Sequence, residues 1–518
     1  MIRGVQKSLY VILAMFIGLF IVSSFFIRAK YVYSVYGDVP VLEKQQLLHL
    51  VVALSGVLLA SVGVYRLCLM LEKLSPKIVI PATLLVSFGL QAAIVFLFTR
   101  LPTDDSQTVL SLALDMLYRN DYSSFQTGGY LYMFPFNFSI VLYLKTLLQL
   151  FPDNYLVIKL FNILFTLVTA WMIYLIYKQL NAKSARNDYG VLVFAALYIP
   201  ALFMSNFIYN DVIATAFLTS ALYYAIRFMK TPSLKYMLVS GVLLAIGNYF
   251  RSIGALFLIA VALCLFFHIR TIGWKKTFLG LAITMLLFMT PGWVQNAALQ
   301  ATGVVGQSVN ANSAPVHMWL HMGINLDTFG FWDNRQSYNI YQRQARYNKE
   351  ISTELFKESI RTKLSAASAG DLLKMYYKKV VWTWTEGTYQ MERYGIGNGE
   401  ASGQPRRAGS VGDRYSYSTL ATKLFQGDSG FRIGLLWAVY AMNLGMYGFV
   451  LVRLIGGVRN GSFAETPLVL VILGFIGFYV LWEIKSRYIF PVYPLLIVLS
   501  YMGLRDTYDA VFTDRKEA

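Results

Sequence analysis

The stretch RLPTDDSQTVL, residues 100–110, sets two carboxylates, Asp104 and Asp105, directly after an apolar run that ends in AAIVFLFTR. Two chemistries are open to them. Val109, Leu112, Ala113 and Met116 recur at the spacing of one helix face. An aspartate placed before them can cap free N–H groups and favour the helix dipole. Capping needs one acid, and two are present. A carboxylate beside an apolar surface has its pKa raised by desolvation, and near a substrate it can serve as a general base. A further acid, Asp211, follows Asn210 in FIYNDVIA. The alternative there is a pair of turn residues opening the next helix.

Three cations share these surroundings. Arg251 lies in GNYFRSIG with apolar residues on both sides, and Lys485 and Arg487 lie in EIKSRY beside Glu483. Snorkelling at a membrane surface would account for any of them singly. A guanidinium also presents paired donors that match a phosphate. His317 and His321 are four apart in PVHMWLHMGIN, but two histidines at that spacing, with no glutamate in an HExxH pattern, do not make a zinc site. Trp319, Trp332, Trp382 and Trp384 fit equally as interface anchors or as faces for a sugar ring. Cys68 and Cys264 both fall in apolar runs and offer no disulfide framework.

The elements that position these residues are membrane helices. The chain has 518 residues, 57% of them hydrophobic and only 14% charged, where soluble domains carry about 25% charged residues. Apolar stretches of 18 or more residues recur, enough for a bilayer core, and the candidate spans are about 9–27, 47–71, 78–98, 155–177, 189–208, 211–229, 236–250, 252–269, 276–297, 431–453, 466–483 and 489–505. The expected fold is an all-α polytopic membrane protein, a bundle of about twelve spans by this hydropathy reading. Strand alternation of the β-barrel kind is absent. The N-terminus has a basic start and no small-residue cleavage site, so it reads as a retained first helix. The net charge of +18 reads as topology signals rather than nucleic-acid binding. Arg3 and Lys7, then Lys73 and Lys77, Lys178, Lys183 and Arg186, Arg227, Lys230 and Lys235, Arg270, Lys275 and Lys276, and Arg453 and Arg459 fall on one side. The alternation requires that 136–151, which carries Lys145, lie at the outer surface or re-enter. Four regions follow: an N-terminal hairpin of spans at 1–77, a core membrane module at 78–297 with its first outer loop at 99–154, an extracytoplasmic domain at 298–430, and C-terminal spans with a cytoplasmic tail at 431–518. The outer domain carries helical patterns at 347–366 and 369–386 and a mobile Gly-rich stretch, YGIGNGEASGQPRRAGSVGDRYS.

The order of a membrane helix, PTDDSQTVLSLA, YLYMFPFNFSIVLYLKTL and LVIKLFNILFTLVTAWMIYLIYKQL resembles the GT-C superfamily of polyprenol-phosphate-sugar-dependent glycosyltransferases. The likeness is to bacterial members related to protein O-mannosyltransferases and the lipid A aminoarabinose transferase. NYFRSIGALFL, HMGINLDTFGFWD and EIKSRYIFPVYP extend it over roughly 78–505. Relatives show Tyr-Pro-Asn-Asn where this chain has FPFN, with Pro135 and Asn137 kept in type, and Thr-Glu-Pro where it has NDV. The resemblance implies inverting transfer from a polyprenyl-phosphate sugar to an acceptor hydroxyl, at the outer face of a bacterial plasma membrane. It implies a catalytic aspartate at Asp105 rather than Asp104, although adjacency keeps both open. It implies a donor phosphate held by Arg487, Lys485 and Arg251, and acceptor or auxiliary contacts from Asp211, Asn210, Asn137 and His321. The acceptor is a cell-envelope glycan, a glycolipid or a protein. No cofactor or nucleic acid is required, and a divalent ion between Asp105 and Asp211 has room but no need. Two other classes stay open at this level: a transporter or flippase of a lipid-linked glycan, and a glycan polymerase or ligase.

Overall fold

The computed structural model describes residues 2–34, 37–152, 154–181, 187–397 and 418–513; the Gly-rich stretch from 398 to 417, and Lys183 and Arg186, lie outside them. Helices begin where the chain supplies a cap. The Ser75 hydroxyl accepts from the Lys77 N–H, and Pro76, whose fixed φ suits a first helical position, opens Pro76–Leu97. Asn348 and Ser368 cap Lys349–Ala366 and Ala369–Thr385, the two outer-domain helices expected from their patterning. Gly461, at φ 61°, closes Gly430–Asn460 in the left-handed conformation.

Among the described residues, eight helices are long and apolar enough to cross a membrane: Ile2–Ser24, Leu47–Leu71, Pro76–Leu97, Tyr155–Leu180, Asn210–Lys230, Trp274–Ala301, Gly430–Asn460 and the run Ser486–Phe512. The other expected spans are helical but shorter. They comprise Leu234–Phe250, Gly254–Phe267, Thr466–Leu481, and a segment broken into Gly190–Ala196 and Ile199–Met204, with Pro200 in the first turn of the second piece. Hydropathy registers apolar residues and is blind to where the backbone bends. Within 99–154, Ser123–Met133 and Pro135–Leu150 meet at 104°, the geometry of a broken span or a re-entrant turn.

The all-α expectation needs one correction. Residues Ile27–Ser34 and Gly37–Lys44 form an antiparallel β-hairpin between the first two membrane helices. Its inner face buries Ala29 and Tyr31, while Val32 and Val39 are exposed, the period-2 pattern of a half-buried strand. Trp382 donates its indole N–H to the Lys30 carbonyl at 3.1 Å, and the Tyr31 hydroxyl accepts from the Ser486 N–H at 2.9 Å. The hairpin is thereby tied to the helix Ala369–Thr385 and to the segment that precedes the last helix.

The two ends of the bundle are both charged. At one end are the starts of Asp105–Tyr118 and Asn210–Lys230, and the turn at Arg251. At the other, Arg453 pairs with Glu465 and Asp506, and Arg505 pairs with Glu72, Asp188 and Asp509. The helix polarities put Lys178, Arg227, Lys230 and Arg459 at this second end as well.

Helices Gly430–Asn460 and Tyr493–Thr513 make their closest approach at Gly503, where a Cβ atom would run into the Phe449 carbonyl oxygen. Backbone cannot yield as a side chain can. Gly503→Leu should therefore destabilise the bundle by about 1–3 kcal/mol, the range for overpacking. A lower melting temperature in detergent would register it; an unchanged melt would mean that the helices separate freely.

Candidate active site

Asp105 begins the helix Asp105–Tyr118, whose inner face buries Ser106, Val109, Ala113 and Met116. The opposite face carries Asp104, Gln107, Thr108 and Ser111, spaced so that they share one side. Together with Asp105 they line a cavity of about 630 Å³. Its other walls are Asp38 of the hairpin, Phe331, Trp332, Tyr338, Arg393, Lys485 and Tyr488. The volume is in the range of small-molecule sites.

The two neighbouring acids have different partners. Asp104 does not cap the helix with its side chain; its backbone carbonyl accepts from Gln107 and Thr108 while Ser106 and Thr103 bond each other. The Asp104 carboxylate instead receives two hydrogen bonds from Arg393, at 2.7 and 2.9 Å. Burial works against its ionisation, but the Arg393 bonds outweigh this and hold the carboxyl below its usual value. Asp104 is also held at φ 57°, a region that non-glycine residues rarely adopt and that the bidentate pairing must sustain. Asp105 is left with lighter contacts. Arg487 approaches one oxygen at 3.4 Å and the Tyr130 hydroxyl the other at 3.4 Å, and 44% of the side chain is exposed.

Beneath Asp105 lies the buried charge cluster. Arg487 is 2% exposed and bridges Asp105 to Asp211, the latter at 3.3 Å. Four rings surround its guanidinium, those of Phe207, Tyr209, Tyr394 and Tyr488, at 5.2–5.7 Å. Its Nε has no hydrogen-bond partner among the described residues. Asp211 is fully buried and also pairs with Arg251, which packs on the other side of Tyr488. The position between Asp105 and Asp211, where the sequence left room for a divalent ion, is filled by a guanidinium. These residues do not fit a metal there, and among the described residues no three His, Cys, Asp or Glu side chains converge.

The remaining expected residues separate into those near the cavity and those away from it. Lys485 lines it, packs 5.5 Å from the Trp332 ring, and makes no ion pair among the described residues. Asn137 is buried and joins Tyr130 to Tyr209, donating to the first at 2.8 Å and accepting from the second at 3.1 Å; it supports Asp105 at one remove. Asn210 is buried at its helix start with Oδ1 unpartnered, and neither Asn210, Asp211 nor Arg251 reaches the cavity wall. His321 is a correction. It is 1% exposed within the outer domain, between the Ser337 and Ser359 hydroxyls and against Phe356, and touches no part of the site. Of the four tryptophans considered, Trp332 alone faces the cavity, while Trp382 and Trp384 are core and Trp319 stacks on Trp482.

Sequence reasoning missed Arg393 and Asp38. Arg393 pairs with Asp38 at 2.7 Å as well as with Asp104, and Gln390 donates to Asp38 at 2.7 Å. The loop that carries Arg393 is fixed by Glu386, whose carboxylate accepts from the Thr388 and Tyr389 N–H groups, and by the Glu392–Arg432 pair. Arg393 stands in ordinary polar sequence, and nothing in MERYGIG singles it out; the basic character of an outer segment was the one available sign.

Burial, then the charge of Lys363, pushes the His321 imidazole down from 6.5 to about 4. As pH falls through this window the unfolded chain takes up the proton first, so stability is lost between pH 6.5 and 4. Amide exchange across 316–366 should accelerate over that range, and His321→Gln should flatten the dependence. The same slope in wild type and variant would remove His321 as its source.

Residues 137–293 match the family profile described as dolichyl-phosphate-mannose-protein mannosyltransferase. No curated protein matches the chain. Among solved structures it is similar to the archaeal oligosaccharyltransferase AglB from Archaeoglobus fulgidus in complex with an inhibitory peptide and a dolichol-phosphate, at 11% identity and a TM-score of 0.39. The alignment covers 85% of this chain and 52% of that one, so this chain spans about half the length of that structure. The family match thus covers 137–293 of a mostly α-helical chain that has, among the described residues, eight helices long and apolar enough to cross a membrane.

Proposed function

We propose that the protein transfers a sugar, with inversion, from a polyprenyl-phosphate donor to an acceptor hydroxyl at the outer face of the plasma membrane. One observation carries the assignment of roles: of two adjacent acids, Asp104 is consumed by a bidentate arginine, while Asp105 remains half-exposed on the cavity with a buried guanidinium behind it. Asp105 takes the proton of the acceptor hydroxyl as its oxygen bonds to the anomeric carbon. The bond from that carbon to the phosphate oxygen breaks, and polyprenyl phosphate leaves with the electron pair. Lys485, whose ammonium has no carboxylate partner, meets the phosphate, and Arg487 supports it from below. Arg251 and Asp211 act through Arg487, fixing its plane rather than touching the donor. The outer face is supported by the cations gathered at the opposite end of the bundle, the side that the positive-inside rule assigns to the cytoplasm.

In purified protein given a polyprenyl-phosphate sugar, Asp105→Asn should lower transfer by roughly 10²–10⁴-fold, the usual contribution of a general base. Asp104→Asn should cost less, since Asp104 acts by shape. Full transfer by Asp105→Asn would overturn the base assignment. The outer placement has a separate test. Both native cysteines are buried, so Asp121→Cys, at an exposed position in the first outer loop, should label with a membrane-impermeant maleimide in intact cells. Labelling only after lysis would reverse the orientation.

A further inference from the structure

The cavity is polar in the electrical sense. On one side, Lys485 lines the cavity without an ion pair among the described residues, and Arg487 pairs with Asp105. On the other, Arg393 is matched by two carboxylates, Asp38 and Asp104, at 2.7 Å each. That trio carries a net charge of −1, one guanidinium against two carboxylates. It repels a phosphate and has no cation left to offer one. The donor's phosphate end is therefore directed to Lys485, and the Asp38 side is left for the acceptor.

The chemistry of that side is specific. The helix face contributes a carboxylate, an amide and two hydroxyls, from Asp104, Gln107, Thr108 and Ser111. The rings of Phe331, Trp332 and Tyr338 line the same cavity, with Lys485 over the Trp332 ring. Hydrogen-bonding groups that both donate and accept, together with apolar ring faces, match a pyranose, which carries hydroxyls on its rim and C–H groups on its faces. A peptide would need partners for its backbone groups and a pocket for alternate side chains, and the cavity lining supplies neither in a row.

We propose that the β-hairpin and Arg393 build an acceptor subsite for a carbohydrate, in which Asp38 binds a sugar hydroxyl and Arg393 is the positioning residue that holds Asp38 and Asp104 together. The inference rests on the glycosyl-transfer reading above and names its acceptor. The hairpin lies outside the stretch that matches the mannosyltransferase profile, so this subsite is a feature of the chain's own N-terminal region.

The test uses the full-length enzyme in detergent with a polyprenyl-phosphate mannose as donor and two probe acceptors, octyl mannoside and a threonine-containing peptide, with hydrolysis of the donor by water followed in parallel. Wild type should transfer to the glycoside in preference to the peptide. Asp38→Asn should raise the KM for the glycoside at least tenfold while the KM for the donor moves much less, and should shift partitioning from transfer towards hydrolysis. Arg393→Gln should do the same and Arg393→Lys should recover only part of the loss, because an ammonium cannot serve two carboxylates in a fork. Preference for the peptide, or a rise in donor KM equal to that in acceptor KM, would overturn the subsite. A wild-type enzyme that hydrolyses donor but transfers to peptide alone leaves the glycosyltransferase reading standing and removes this one; an enzyme that neither hydrolyses nor transfers removes both. Should Asp38→Asn fold poorly, Gln107→Ala, on the same wall, carries the same expectation.

Discussion

Arg487 is the residue around which the active end is organised. A guanidinium taken out of water costs several kcal/mol unless its charge and its donors are matched. Here the match is distributed over four separate parts of the chain: Asp105 at one helix start, Asp211 at another, and the rings of Phe207, Tyr209, Tyr394 and Tyr488 around the plane. Arg251 then shares Asp211, so that the buried carboxylate faces two cations and the cluster is closed except towards the cavity. Displacing any one of these groups leaves a buried charge unpaired. The cost of that state holds the helix starts in register, and it explains why so many charged residues occur where a membrane protein otherwise avoids them.

The same logic separates the roles of the acid pair. Adjacent residues cannot aim their side chains in one direction, and the positive φ of Asp104 sharpens the divergence. Asp104 turns to Arg393 and the hairpin, Asp105 to Tyr130 and Arg487. The loop that presents Arg393 is itself strained, with Tyr389 and Gln390 at φ 53° and 61°, and is held by carboxylate-to-backbone bonds from Glu386. Strain of this kind persists where the surroundings over-determine it. Its position beside the cavity links the outer domain, the hairpin and the first outer loop into one wall.

At the far end of the bundle, charge has a different task. Arg453, Glu465, Arg505, Asp188 and Glu72 pair among themselves, and Tyr10, Tyr177 and Tyr501 donate hydroxyls into the same groups. This end ties Ile2–Ser24, Leu47–Leu71, Gly430–Asn460 and Tyr493–Thr513 together. Arg453 and Arg505 there are each matched by carboxylates, whereas Lys485 lines the cavity and makes no ion pair among the described residues.

The sequence by itself determined the class of fold, the eight long membrane helices among about twelve apolar candidates, and the candidacy of Asp105, Arg487 and Lys485. It could do so because a charge beside an apolar run is conspicuous, and helix-forming periodicity is a local property. The tertiary structure alone decided the rest. It buried Asp211 away from the cavity lining with Arg251 paired to it, and enclosed His321 between Ser337 and Ser359, because burial depends on what packs from elsewhere in the chain. It also brought in Asp38 and Arg393, which are ordinary polar residues in ordinary polar segments until a hairpin and a distant loop fold against the same helix. Local sequence records the chemistry a side chain carries. Only contacts between residues hundreds of positions apart, such as Arg393 with Asp104, determine whether that chemistry is free to act.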